Sequence, residues 1–339
     1  MKRLVSIRVA LVIFFQLLSS CYLAHAANGQ ASLLWNREPI DEVLTQPQTD
    51  PKISEKLRHV KEVSNWGHDK LGLKGEAFQT LSRIDRKAVA WNVTASRELA
   101  FIPKTWWFPI VGTVPYLGYF SEAKANAAAQ ELKAEGWDVV TQEVSGYSTL
   151  GWFKDPLVST QLEYSNWYLT RLVIHESTHN TLWLPGSVDF NESFASFVEI
   201  TGALQYARET EGESSENYKR KLNYLVESAK IRAQFRACAK KLDALYKSNL
   251  TDVEKRAQKS QIIQAFKRQL TETRAPNQTA DQEQREYNNA DFLSFLRYES
   301  GQEYFEEQFK SCRKEWPCFF AKMQALTEPP ANWKKQIQD

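Results

Sequence analysis

Apolar residues recur at helical spacing along much of the chain. Between Pro51 and about Gly67, Ile53, Leu57, Val60, Val63 and Ser64 share one side, which predicts a helix. Ala88 to Thr94 predicts a strand. Residues 101–120 are dense in Pro, Gly and aromatics, as in Trp106-Trp107-Phe108-Pro109 and Val114-Pro115-Tyr116-Leu117-Gly118. They are expected as loop and irregular strand lining a cleft. Ser121 to Glu135 reads as a helix, capped by Ser121 and stopped at Gly136. Trp137 to Val144 follows as a strand, either an ordinary sheet member or an edge onto which a peptide adds. The first half is therefore mixed α and β.

From about Gln161 the pattern turns helical. Helices are expected over 165–183 and 192–208, joined by a turn at Pro185-Gly186. Residues 209–275 are strongly charged, with Leu222, Leu225, Ile231 and Phe235 at helical spacing. They predict a long helical hairpin standing off the core, its charge a solvated face. Restricting the cleft or recruiting a protein partner are the competing uses. A break at Pro276 to Gln282 precedes aromatic-rich helices over 286–327. The chain divides into a signal at 1–26, a catalytic region at 27–208, the hairpin at 209–275, and a helical region at 276–339 that completes the catalytic domain.

With 339 residues and 42% apolar content, the chain can bury one sizeable core, or one core plus a smaller helical lobe. Its 43 basic and 41 acidic residues leave a net charge of only +2, which argues against nucleic acid as a partner. The N-terminus changes the picture more. Lys2, Arg3 and Arg8 precede an apolar run from Val9 to Leu18, broken by Gln16 and too short to span a membrane. That is an export signal. Ala24-His25-Ala26 fits ordinary cleavage, whereas Leu18-Ser19-Ser20-Cys21 resembles a bacterial lipobox, and the lipobox is favoured. Cys21 would then carry lipid and tether an exported protein to the cell envelope. Cys238, Cys312 and Cys318 remain, enough for one disulfide in an oxidising compartment. Cys318 and Cys238 are equal candidates to pair with Cys312. No CxxC exists, which argues against a cysteine zinc site.

The chemistry concentrates in His175-Glu176-Ser177-Thr178-His179. On a helix this spacing puts both imidazoles on one face, where they can share one tetrahedral ion, and points the glutamate at the ion's water. That water loses a proton more readily, and Glu176 takes it and later delivers it to the leaving amine. Only five histidines occur, and His25 lies in the signal. His59 and His68 lie far upstream, so the third zinc ligand is expected to be a carboxylate. Glu192, near the start of the next helix, is the chosen ligand, with a favourable first-turn acid as its competing role. Glu199, two turns on, is a rival ligand or a partner that orients a histidine. Asp189 caps that helix or orients a histidine. An oxyanion donor is also needed, and a tyrosine is expected. Tyr147, in a Gly-bounded loop, is preferred to Tyr298, with core packing the competing role for both. Asn288 and Asn289 either bond the substrate backbone or cap a helix.

HExxH followed by Asn191-Glu192-Ser193-Phe194-Ala195 resembles the gluzincins, the thermolysin-like metallopeptidases. The interval from His179 to Glu192 is shorter than theirs. A closer resemblance is to a bacterial "predicted aminopeptidase" family of exported proteins. It rests on Pro39-Ile40-Asp41-Glu42-Val43-Leu44, Tyr147-Ser148-Thr149-Leu150-Gly151-Trp152-Phe153, Asp155-Pro156-Leu157, the HExxH, Phe190 to Ala195, and Asn288-Asn289-Ala290, across roughly residues 37–300. Ser177 and Thr178 stand where apolar or small residues are more familiar. The resemblance implies an α+β, zincin-like catalytic domain with one Zn²⁺ per chain and peptide substrates. The Gly-Ala-Met-Glu-Asn-like segment of gluzincin aminopeptidases has no counterpart here, so the end-cutting mode stays open. Two other functions compete with a zinc peptidase. One is a non-catalytic envelope protein stabilised by zinc, against which an intact Glu176 argues. The other is a hydrolase of non-peptide amides.

Overall fold

The computed structural model describes residue 22 and residues 25–75, 78–108, 112–144, 156–273, 285–299 and 301–333. The fold is α+β and 64% helical, with small sheets. β1 (Arg37–Pro39) pairs antiparallel with β2 (Thr80–Ser82), and β2 pairs parallel with β8 (Leu157–Val158). A second sheet has the order β6 (Leu117–Tyr119), β3 (Ala90–Arg97), β7 (Trp137–Val144), all antiparallel. β4 (Trp106–Phe108) and β5 (Gly112–Val114) form a two-stranded ribbon. The aromatic stretch expected as loop and irregular strand holds the three short strands β4, β5 and β6, with its other described residues outside them.

The helices follow their sequence signatures. α1 (Ile40–Thr45) leads into α2 (Pro51–Trp66), which starts where the Asp50 carboxylate accepts from the Lys52 amide and Pro51 presets the backbone. Its Leu57, Val60 and Val63 are fully buried. Ser54, rather than Ser64, completes the buried side. α3 (Glu122–Ala134) is capped by Ser121 and buries Ala125, Ala129 and Leu132 against the β6–β3–β7 sheet. Gly136 turns the chain into β7 with φ 85°, a backbone that other residues rarely adopt.

α4 (Asn166–Thr181) and α5 (Val188–Glu211) pack along each other at the centre. α5 begins four residues before the expected start at 192. The Asn191 side chain explains this: it accepts from the Leu184 amide at 2.9 Å and donates to the Leu184 carbonyl at 2.8 Å. Those bonds pin the Pro185-Gly186 turn to the helix, so helical geometry starts as soon as the turn ends. Glu192 consequently sits in the second turn.

The charged region is a hairpin of α6 (Glu216–Lys247) and α7 (Asp252–Thr273). It does not stand off the core. Phe235, Cys238, Leu242, Phe266 and Leu270 pack with Tyr287 and Phe292. Lys259 is buried, with its ammonium 2.5 Å from Asp138 of β7 and 2.8 Å from the Glu98 carbonyl. The expected standing-off arm is corrected by these contacts: its apolar residues pack on Leu99 and Phe101, just past β3, and on Tyr287 and Phe292.

α8 (Asn289–Glu299), α9 (Gln302–Ser311) and α10 (Trp316–Gln324) complete the chain. Cys312 is bonded to Cys318, not to Cys238, which is a buried free thiol pushed up to about 12 by burial. Phe305, Phe309, Trp316, Phe319 and Phe320 clamp α5 through Phe194 and Phe197. Phe319 is completely buried in that cluster. Phe319→Ala is expected to cost ~3–5 kcal/mol of unfolding free energy, because the cavity cannot collapse between rigid rings. Denaturant unfolding of both proteins measures it.

Candidate metal centre

α4 forms because Ser165 caps it, accepting from the Tyr168 amide at 3.2 Å, and because Leu169, Leu172, Val173 and Ile174 give it a buried face. Thr178 is also fully buried, as its spacing on that face requires. It satisfies its hydroxyl by donating to the Ile174 carbonyl at 2.7 Å, and Thr181 does the same to Ser177 at 2.6 Å. Thr178 is therefore compatible with its burial, whereas the Ser177 hydroxyl is buried without a hydrogen-bond partner among the described residues.

His175 and His179 lie one turn apart with Nε2 atoms 3.1 Å from each other. α5 returns Glu192 to this point. One carboxylate oxygen lies 3.4 Å from His175 Nε2 and 3.7 Å from His179 Nε2. Their side chains are only 13%, 3% and 12% exposed. Trp183 meets the His179 ring edge-on, with centroids 5.3 Å apart, and restricts its rotation. Three donors around one tetrahedral ion, each ~2.0–2.1 Å from it, would stand about 3.3–3.4 Å apart. The observed edges bracket that value, so the group fits a small divalent cation and leaves one position open. Glu176, 7% exposed, is in the same turn of helix.

A further carboxylate stands behind His175. Glu199 Oε2 is 2.9 Å from His175 Nδ1, and Glu199 Oε1 is 2.6 Å from an Arg171 nitrogen. With Nδ1–H donated to Glu199, the Nε2 lone pair of His175 is left facing the cluster. Of the two roles weighed for Glu199, orienting a histidine is the one its position serves. Burial alone would push the His175 pKa down, but hydrogen bonds to Glu192 and Glu199 raise it well above 6.5. Burial pushes Glu192 and Glu199 up. The charge of His179, joined by hydrogen bonds to both histidines, leaves Glu192 lowered. The His175 hydrogen bond and Arg171 leave Glu199 lowered.

The family model described as "Putative aminopeptidase" matches residues 21–337. The chain belongs to that family. No curated protein and no solved structure matches it. Membership places a peptidase on this fold, and His175, His179 and Glu192, which could hold a metal ion, lie within the matched span.

The other residues marked in the sequence divide. Tyr147 and Cys21 lie outside the described residues, as does the Tyr298 side chain. Asn289 is corrected: it is fully buried and committed to the protein. It accepts from the Tyr246 hydroxyl at 2.7 Å and donates to the carbonyls of Arg97 and Glu98 at 2.9 and 3.0 Å. No part of it faces a peptide. Asn288 accepts from the Ala290 amide and donates to the β7 carbonyl of Val139 at 3.0 Å, so it ties α8 to the strand while lining a polar groove beside it. Asp189 lies in the first turn of α5, 3.8 Å from Arg297. Arg171 escapes the sequence reading. Its position one turn before His175 was the available signal.

Proposed function

We propose that this peptidase is a zinc-dependent aminopeptidase of the cell envelope, with His175, His179 and Glu192 holding one Zn²⁺ per chain and Glu176 as general base. The convergence of those three donors beside a buried glutamate carries the reading. When bound, the ion acts as a Lewis acid that polarises the scissile carbonyl and makes water easier to deprotonate. Glu176 accepts the proton from the attacking water and returns it to the departing amine. Burial keeps competing water out and strengthens the charge interactions around the carboxylate. The three-donor arrangement supports catalysis over a structural site, which closes all four positions with protein ligands.

The N-terminal signal and the Leu18-Ser19-Ser20-Cys21 lipobox support export and a lipid tether on Cys21. No described helix is long and apolar enough to cross a membrane. Peptides are the proposed substrates, and Tyr147 is retained as the proposed oxyanion donor. Chelator treatment of the mature chain should abolish cleavage of a peptide library, and one equivalent of Zn²⁺ should restore it. Cleavage that survives complete removal of metal would sink the reading.

The ion must displace the proton that the two carboxylates hold on His175. Zinc affinity should therefore rise by up to ~10-fold per pH unit between the ordinary histidine pKa and the raised one. The sign for stability is opposite in the chelated protein. A raised histidine pKa stabilises fully below the unfolded value near 6.5 and loses that contribution as pH climbs through the folded value. The gap in Tm between zinc-loaded and chelated protein should widen from pH 6 to pH 8. A gap that narrows would contradict this charge arrangement.

A further inference from the structure

The metal centre continues outward along one face of α4. His175, Arg171 and Trp167 are spaced by four residues each, so they stack one above the other. The first turns of the hairpin helix α6 lie along this stack. Lys221 Nζ sits 5.6 Å from the Trp167 ring, and three residues on, the Tyr224 phenol comes within interacting range of the Arg171 guanidinium. Arg171 contacts Glu199 at 2.6 Å, and Glu199 contacts His175 Nδ1 at 2.9 Å. An unbroken chain of polar contacts thus runs from the hairpin to a metal ligand.

We propose that Arg171 and Tyr224 are positioning residues of the metal centre: they hold Glu199 on His175 Nδ1, and so make the hairpin part of the site. This rests on the zinc reading above. The physical reason is the freedom of a glutamate. With three rotatable side-chain bonds, Glu199 can leave Nδ1 or swing toward the ion as a competing ligand. Anchoring its second oxygen on Arg171 removes both alternatives. The guanidinium suits this task because its planar fork serves Glu199 and Tyr224 at once, which a lysine ammonium cannot reproduce in the same geometry. Arg171 is itself only 23% exposed, so it requires such partners to remain charged there. α6 is therefore not merely a solvated arm: one of its residues gives the arginine a second partner beside Glu199.

Zn²⁺ competition with a chromophoric chelator tests this on the full mature chain. The proteins are wild type, Arg171→Lys, Tyr224→Phe, Glu199→Gln and the Arg171→Lys/Glu199→Gln pair. Arg171→Lys should weaken zinc binding by ~10–100-fold, the range for changes behind a ligand. Tyr224→Phe, which deletes one half-exposed hydroxyl and leaves the fold intact, should weaken it by about 3-fold. With Glu199→Gln in place, Arg171→Lys should add little, because its effect passes through that carboxylate. Losses that multiply in the double variant would overturn the proposal, since independent structural damage behaves that way. Wild-type affinity in both Arg171→Lys and Tyr224→Phe would overturn it alone and leave the zinc peptidase reading standing. A wild-type chain that binds no zinc would overturn both.

Discussion

Glu176→Gln is expected to retain a full equivalent of zinc while losing about 10³-fold in peptide hydrolysis, within the range that a positioned acid–base group contributes. The substitution keeps size and shape but removes the ability to take a proton. Glu176 lies between the two histidines in sequence and is buried, more so than His175 and less so than His179. Its loss therefore leaves the ligands His175, His179 and Glu192 in place and strips out only the proton transfer. The effect should fall on kcat more than on KM, since the group acts in the transition state and not in holding the peptide. Metal analysis and steady-state kinetics on the same preparations separate the two properties. Equal activity in the two proteins would end the general-base assignment. It would also revive the alternative of a non-catalytic envelope protein in which zinc only stabilises the fold.

What the sequence reveals here follows the range of the interactions involved. The ligand pair is legible because i and i+4 on a helix is a local relation, fixed by 3.6 residues per turn. The third ligand is legible by scarcity: with so few histidines, a carboxylate is required, and the next helix supplies one. The start of that helix is not legible, because Asn191 fixes it through a bond to a loop residue whose place depends on the tertiary turn. α3 is the opposite case. Ser121 and Gly136 mark both its ends from local chemistry alone, and the structure places it within a residue of the expected bounds.

The hairpin itself is legible, but its packing on the rest of the chain is missed for the same physical reason. Its charges suggest a solvated arm, yet Lys259 finds Asp138 and Arg256 finds Glu98, more than a hundred residues away in sequence. Asn289 fails likewise. An asparagine pair looks available for a peptide until Tyr246 and the Arg97 and Glu98 carbonyls are folded around one of its members. Arg171 is the most instructive omission. It shares a helix face with His175, but only the arrival of Glu199 from α5 gives its charge a purpose at the site.

Glu192 and Glu199 now make opposite predictions, although the sequence offers both as ligands. Glu192 places an oxygen within 3.7 Å of both Nε2 atoms, the side of each ring that faces the cluster. Glu199 instead meets His175 on Nδ1, the far side of that ring, and shares its charge with Arg171. Glu192→Ala removes one of three protein donors. Zinc affinity should fall beyond the ~10–100-fold that changes behind a ligand cost, and hydrolysis should vanish at ordinary zinc concentrations. Glu199→Ala leaves all three donors and should stay inside that range, with activity recovered by added zinc. Chelator competition together with zinc-dependent kinetics reads both variants. If Glu199→Ala proves the more damaging for metal, the ligand assignment is reversed: the ion would then sit on the other edge of the His175 ring, and Glu192 would become the supporting carboxylate.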